Sequence, residues 1–177
     1  MSSPAAILII TGVSGSGKTT IGRQVASRLS WPFKEGDDLH PPANIAKMKA
    51  GKPLTDADRA PWLAAVAQWI DGWRRAGVSG VITCSALKRT YRQGLARGRP
   101  EVRFVYLMGD APVLQKRLAD RHGHFMPATL LASQLADLEA PAPDEGAIVV
   151  PVDQAVEAQV QHIIRSLEAT AGARGRA

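Results

Sequence analysis

The stretch "GVSGSGKTT", Gly12 to Thr20, follows the apolar run Ala5 to Ile10. It matches G-x-x-x-x-G-K-[ST], with the run before it reading as a strand and a helix expected to open at Lys18. Gly12, Gly15 and Gly17 let the backbone fold with its N–H groups aimed inward at a phosphate. The helix N-terminus adds partial positive charge. Lys18 reaches the β- and γ-phosphates, and the Thr19 hydroxyl can hold Mg²⁺. Gly12, Val13, Ser14, Gly15, Ser16, Gly17, Lys18, Thr19 and Thr20 are therefore candidate ligands of a nucleoside triphosphate.

Absences narrow the chemistry. The chain has no N-K-x-D guanine-reading motif, which argues against a GTPase. The third strand ends "TCSA", without the aspartate that supplies a second Mg²⁺ contact in motor ATPases. Carboxylates are available instead in "FKEGDDLHP". Glu35 and Asp37 are two apart, so on a strand they share a face. If that strand neighbours the phosphate-loop strand, both project toward the γ-phosphate. Asp37 is the candidate base for an attacking hydroxyl and Glu35 the candidate metal-side support.

Cations gather in two later segments: His40, Lys47 and Arg59 in one, Lys88 and Arg89 in the other. They suit an acceptor with a carboxylate and hydroxyls. Arg59 either binds that acceptor, oriented by Asp56 or Asp58, or forms a salt bridge at a helix start. His40 either recognises a hydroxyl or bonds within its loop. Ser85 either touches substrate or supports the phosphate loop. Lys88 and Arg89 fall in the first turns of a helix, where cations oppose the dipole, so a nearby anion or a surface position is expected. Arg117 and Arg121 are four apart, one helical turn, and can point the same way. His122 and His124 have no third metal ligand beside them, so packing or substrate contact is the expectation.

These residues need a scaffold in which apolar runs and amphipathic runs alternate, the pattern of a parallel α/β sheet. Strands are expected at Ala5 to Thr11, "PFKEGDD", "GVITCS", "VRFVYLMG" and "AIVVPVD". Helices are expected from Lys18 to Leu29, over "ANIAKMKAG", after a cap at Asp58, from Ala111 to Arg121, from Thr129 to Leu138, and near the C-terminus. Trp62, Val66, Trp69, Ile70 and Trp73 recur at helical spacing, an apolar stripe for the core or a subunit interface. Residues 171–177, "AGARGRA", are expected to fray.

At 177 residues the chain suits one domain, and 45% apolar with 21% charged residues is an ordinary globular balance. No run approaches the roughly 20 apolar residues of a membrane helix, and the first apolar run is too short for a signal peptide. Cys84 is the single cysteine, which fits a reducing cytoplasm. The net charge of +6 is scattered, without aromatic–basic alternation, and points to a polyanionic small molecule rather than nucleic acid.

Six ordered segments together resemble the gluconate kinases, P-loop kinases of small molecules. They are "GVSGSGKTT", "EGDDLHPPANIAKMKAGKPLTDADRAPWL", "CSALKRTYR", "FVYLMGD", "RHGHFMP" and "SQLADLEAP", and they span residues 12 to about 145. The second and fifth do not belong to P-loop proteins in general. Shikimate kinases share the phosphate loop and an acidic pair on strand two, but not these segments. The resemblance implies a three-layer fold around a five-stranded parallel sheet. It implies ATP and Mg²⁺, transfer to the 6-hydroxyl of D-gluconate, and a homodimer. It also implies a mobile lid at residues 121–128 that brings Arg117 and Arg121 onto the phosphates, with His124 against the substrate.

Overall fold

The computed structural model describes residues 5–120 and 130–174, with side chains to residue 170. Its elements in chain order are β1 (Ile7–Thr11), α1 (Lys18–Leu29), β2 (Phe33–Lys34), a 3₁₀ turn (Gly36–Leu39), α2 (Pro42–Lys49), α3 (Asp56–Ala76), β3 (Gly80–Thr83) and α4 (Arg89–Ala96). There follow β4 (Val102–Met108), α5 (Ala111–Ala119), α6 (Leu130–Asp137), a second 3₁₀ turn (Pro143–Glu145), β5 (Ile148–Pro151) and α7 (Val156–Arg174).

Five parallel strands lie in the order β2-β3-β1-β4-β5. The innermost, β1, is buried along its whole length, as expected of a parallel strand covered on both faces. Its side chains alternate between two cores. Leu8 and Ile10 join Ile21 and Val25 of α1 and Val160 and Ile163 of α7. Ile7 and Ile9 join Trp62, Val66 and Ile70 of α3 and Leu95 of α4. The sheet is thus the middle of three layers. A smaller cluster of Val13, Leu87, Leu114, Leu118 and Leu131 seats α5 and α6 beside the phosphate loop.

Several expectations change. The strand expected to carry the acidic pair, β2, pairs with β3, not with the phosphate-loop strand β1. That strand also stops at Lys34, so Asp37 lies in the 3₁₀ turn rather than sharing a strand face with Glu35. The cap of α3 is Thr55, whose hydroxyl accepts from the Asp58 N–H, while Asp58 answers from the third helical position in a capping box. The tryptophan stripe divides: Trp62 is buried, whereas Trp69 is exposed beside Trp73. Helix α5 ends at Ala119, two residues before Arg121. Helix α7 continues to Arg174, four residues into the segment expected to fray.

The loop after β3 is held by a buried ion pair. The Arg92 guanidinium meets Glu145 at 2.6 and 2.9 Å and donates to the carbonyls of Ala86 and Leu87 at 3.1 Å each. Arg92 is fully enclosed, so removing its counter-charge leaves a bare cation in the core. Glu145→Ala is therefore expected to cost about 3–5 kcal/mol, several times a surface pair. Denaturant unfolding checks this; a loss under about 1 kcal/mol would show that the pair contributes little.

Candidate active site

The carboxyl ends of β1, β2 and β3 meet at one pocket, the place where open parallel sheets bind ligands. The phosphate loop forms one wall, with Ser14, Gly15, Gly17, Lys18 and Thr19 facing the space. Asp37, His40, Arg59, Trp62, Ser85 and Leu87 line the same space. Met48, Pro53, Leu54, Leu130, Ser133 and Gln134 close it with mainly apolar surface.

The loop is built for an anion. Gly12 has φ of 143°, and a Cβ there would come within 2.9 Å of both the Leu107 carbonyl oxygen and Ser16 Oγ. Only glycine meets that turn. The Ser16 hydroxyl is buried with no hydrogen-bond partner among the described residues. Lys18 Nζ folds back to the Val13 carbonyl at 3.0 Å. The Ser14 N–H donates to Gln134 Oε1 of α6 at 2.7 Å, a donor that phosphate-loop chemistry directs at a phosphate oxygen. Ser85 supports this loop from below: its carbonyl accepts from the Thr11 hydroxyl and, at 3.5 Å, from the Gly12 N–H.

Glu35 joins the loop to the acidic turn. One carboxylate oxygen accepts from the Thr19 hydroxyl at 2.6 Å, the other from the Thr83 hydroxyl. Thr83 in turn accepts from the Gly36 N–H at 2.9 Å. Gly36 packs so closely that a Cβ would fall 1.8 Å from the Thr83 carbonyl oxygen. The Gly36 carbonyl then receives the Trp62 indole N–H at 2.8 Å. These contacts fix the 3₁₀ turn and, with it, Asp37.

A hydroxyl and a carboxylate in contact are hard oxygen donors of the kind Mg²⁺ takes. The described residues hold no group of three or more His, Cys, Asp or Glu able to cage a metal. Mg²⁺ keeps several waters and is shared with substrate phosphates, so a hydroxyl and a carboxylate are enough protein ligands for it. Thr19 and Glu35 are the residues that would hold it.

On the acceptor side, His40 is buried and stacked on Trp62 with ring centroids 4.2 Å apart. Burial, reinforced by the Arg59 charge, pushes its pKa down to about 4, so it is neutral at pH 7. Its Nε2 lies 4.0 Å from Asp37 Oδ1. Arg59 Nη1 donates to Asp137 of α6 at 2.9 Å and to the Tyr91 hydroxyl at 3.3 Å. Asp137 and Tyr91, not Asp58, orient it, and Asp56 is more distant at 4.0 Å.

The remaining cations lie outside the pocket lining among the described residues. Lys47 pairs with Asp58 at 2.5 Å and holds that carboxyl at a pKa of about 2. Lys88 pairs with Asp56 at 2.8 Å, and Arg89 pairs with Asp144 while its N–H meets Glu139 at 2.6 Å. The anions expected at the start of α4 are thus the chain's own carboxylates. Arg117 donates to the Val152 carbonyl beside the loop. Arg121, His122 and His124, with the expected lid at 121–128, lie outside the described residues. Thr83, Asn44, Gln134 and Asp137 also contact site residues; the last three lie within segments that carry the family resemblance, but residue type alone gives none of the four a role until the fold brings it near.

Comparison with known proteins agrees with this geometry. The shikimate kinase family profile matches residues 14–168. The chain is 49% identical to a gluconokinase of Gluconobacter oxydans, over 92% of this chain and 91% of that one. A gluconokinase from Sinorhizobium meliloti superposes with a TM-score of 0.85 at 42% identity, covering 97% and 96% of the two chains. An unliganded sugar kinase from Janibacter superposes with a TM-score of 0.89 at 51% identity, covering 93% and 95%. With an ATP-gripping loop facing an acid, a histidine and an arginine in one pocket, and with these relatives, the chain belongs to the gluconokinases, a branch of the shikimate kinase-like P-loop family.

Proposed function

We propose that the chain transfers the γ-phosphate of ATP to the 6-hydroxyl of D-gluconate, giving 6-phospho-D-gluconate and ADP. The observation that carries this reading is the shared pocket, in which Asp37, His40 and Arg59 face the phosphate loop. The loop N–H groups and Lys18 hold the transferring group and draw off its developing charge. Thr19 and Glu35 would hold Mg²⁺, which would neutralise phosphate charge. Asp37 takes the proton of the attacking hydroxyl as its oxygen bonds to phosphorus, and the bridging oxygen leaves with ADP. Arg59 receives the acceptor's carboxylate. The apolar wall of Met48, Leu54 and Leu130 limits water, which would otherwise hydrolyse ATP.

Arg121 and His124 belong to the same reading as lid residues over phosphate and substrate, and Arg117 as a phosphate-side cation. Lys47, Lys88 and Arg89 act here by holding Asp58, Asp56 and Asp144 rather than substrate. A homodimer rests on the family resemblance alone. No described helix is long and apolar enough to cross a membrane. The reading of the chain as cytoplasmic rests on Cys84 being the single cysteine, a buried free thiol.

ADP release from Mg-ATP, measured with D-gluconate, related sugar acids, shikimate, glucose, AMP and no acceptor, tests the reaction. Turnover confined to gluconate is expected; turnover with shikimate instead would keep the fold and overturn the substrate. Asp37→Asn is expected to lower kcat by about 10²–10⁴-fold with the ATP KM unchanged. Near-normal kcat would remove Asp37 from the base role. Arg59→Ala is expected to raise the gluconate KM about thirtyfold, the loss of about 2 kcal/mol of charge-assisted hydrogen bonding, and to leave the ATP KM alone. An unchanged gluconate KM would make Arg59 purely structural.

A further inference from the structure

Asn44, in the first turn of α2, is 4% exposed and its side chain joins two elements. Its Nδ2 donates to the Asp58 carbonyl at 2.8 Å. A carbonyl accepts only, so the amide orientation is settled: the nitrogen, not the oxygen, faces Asp58. The same Nδ2 lies 3.3 Å from His40 Nδ1 and has a second hydrogen to give. An amide nitrogen donates and never accepts, so the His40 Nδ1 it meets must carry a lone pair. For a neutral ring, the proton is then on Nε2.

That nitrogen is the one nearest the base. The 4.0 Å from His40 Nε2 to Asp37 Oδ1 is too long for a direct hydrogen bond. One oxygen placed between them lies within about 2.8 Å of each. We propose that Asn44 is a positioning residue: it holds His40 as the Nε2–H tautomer, so that one substrate hydroxyl accepts from His40 while it donates to Asp37. The proposal rests on the reading of Asp37 as the base.

The tautomer matters because a hydroxyl has a single proton. With Nε2–H, that proton has one acceptor, Asp37, and a lone pair stays free for phosphorus. With the opposite tautomer, Nε2 would be a second acceptor and the hydroxyl would divide between the two. A protonated ring would pair with Asp37 and occupy the base. The charged groups facing His40 among the described residues are Asp37 from the 3₁₀ turn and Arg59 from α3, with Lys18 lining the same pocket. Burial and Arg59 keep the ring neutral, and Asn44 chooses where its one proton sits.

Long-range ¹H–¹⁵N spectra of protein labelled at its four histidines test this directly, with His40 assigned by its loss in His40→Gln. The expected wild-type result is a neutral Nε2–H ring at pH 7 that does not titrate above about pH 5. An Nδ1–H ring, or titration near 6.5, would overturn the proposal whatever the activity. Asn44→Asp puts an acceptor opposite Nδ1. It is expected to move the proton to Nδ1, to raise the ring's pKa, and to lower kcat at least tenfold with the ATP KM unchanged. Retention of the Nε2–H tautomer in that variant, or a switched tautomer with normal kcat, would also overturn it. If the variant fails to fold, the wild-type spectrum decides alone. Full turnover in Asp37→Asn would instead defeat the base assignment and leave the tautomer measurement standing.

Discussion

A single carboxylate holds the catalytic end of this protein together. Glu35 spends one oxygen on Thr19, in the first turn of α1, and the other on Thr83, at the end of β3. The first contact reaches the phosphate loop, and the second reaches the loop's supporting strand. Through Thr83 and Gly36 the same group fixes the 3₁₀ turn that carries Asp37. Charge-assisted hydrogen bonds of this kind are about twice as strong as neutral ones. Three chain segments that are far apart in sequence thus share one origin of coordinates. Asp37 and the phosphate loop are positioned by the same atoms, which is what in-line transfer would demand of a base and its phosphate.

The two halves of the pocket are made differently. The phosphate half is mostly backbone from one continuous stretch, so almost all of its chemistry was legible in "GVSGSGKTT". The alternation of apolar and amphipathic runs was enough for a parallel α/β sheet, and the family resemblance for its three layers. The acceptor half is made of side chains from the 3₁₀ turn, α2, α3 and α6, and less of it could be read. Glu35 and Asp37 were found, but for a geometric reason that fails: β2 is two residues long and lies beyond β3. Nothing local marks so short a strand, because its pairing with Val81 and Ile82 is a long-range fact. Lys47, Lys88 and Arg89 read as free cations because their carboxylate partners lie 11 to 55 residues away. The partner of Arg59, Asp137, is 78 residues distant.

This division explains how one family profile named for shikimate kinase and relatives named as gluconokinases converge on the same chain. A phosphate loop, its strand and its helix serve any acceptor. On the proposed function, the identity of the acceptor resides in side chains such as His40 and Arg59, which the scaffold positions but does not dictate.

Helix α6 carries two of the contacts described above, three residues apart on one face: Gln134 on the Ser14 N–H and Asp137 on Arg59. Each is an oxygen of the protein standing on a donor suited to an oxygen of a substrate. Two donors of the pocket thus already carry a protein oxygen, while the Ser16 hydroxyl has none among the described residues. A carboxylate can use the Arg59 N–H groups other than Nη1, which meets Asp137 and Tyr91, but a phosphate taking the Ser14 N–H enters by exchanging one hydrogen bond for another. Such exchanges return only the difference between two similar bonds. One short helix thus reaches a phosphate-loop donor and Arg59 at once, so a shift of α6 would be felt by both.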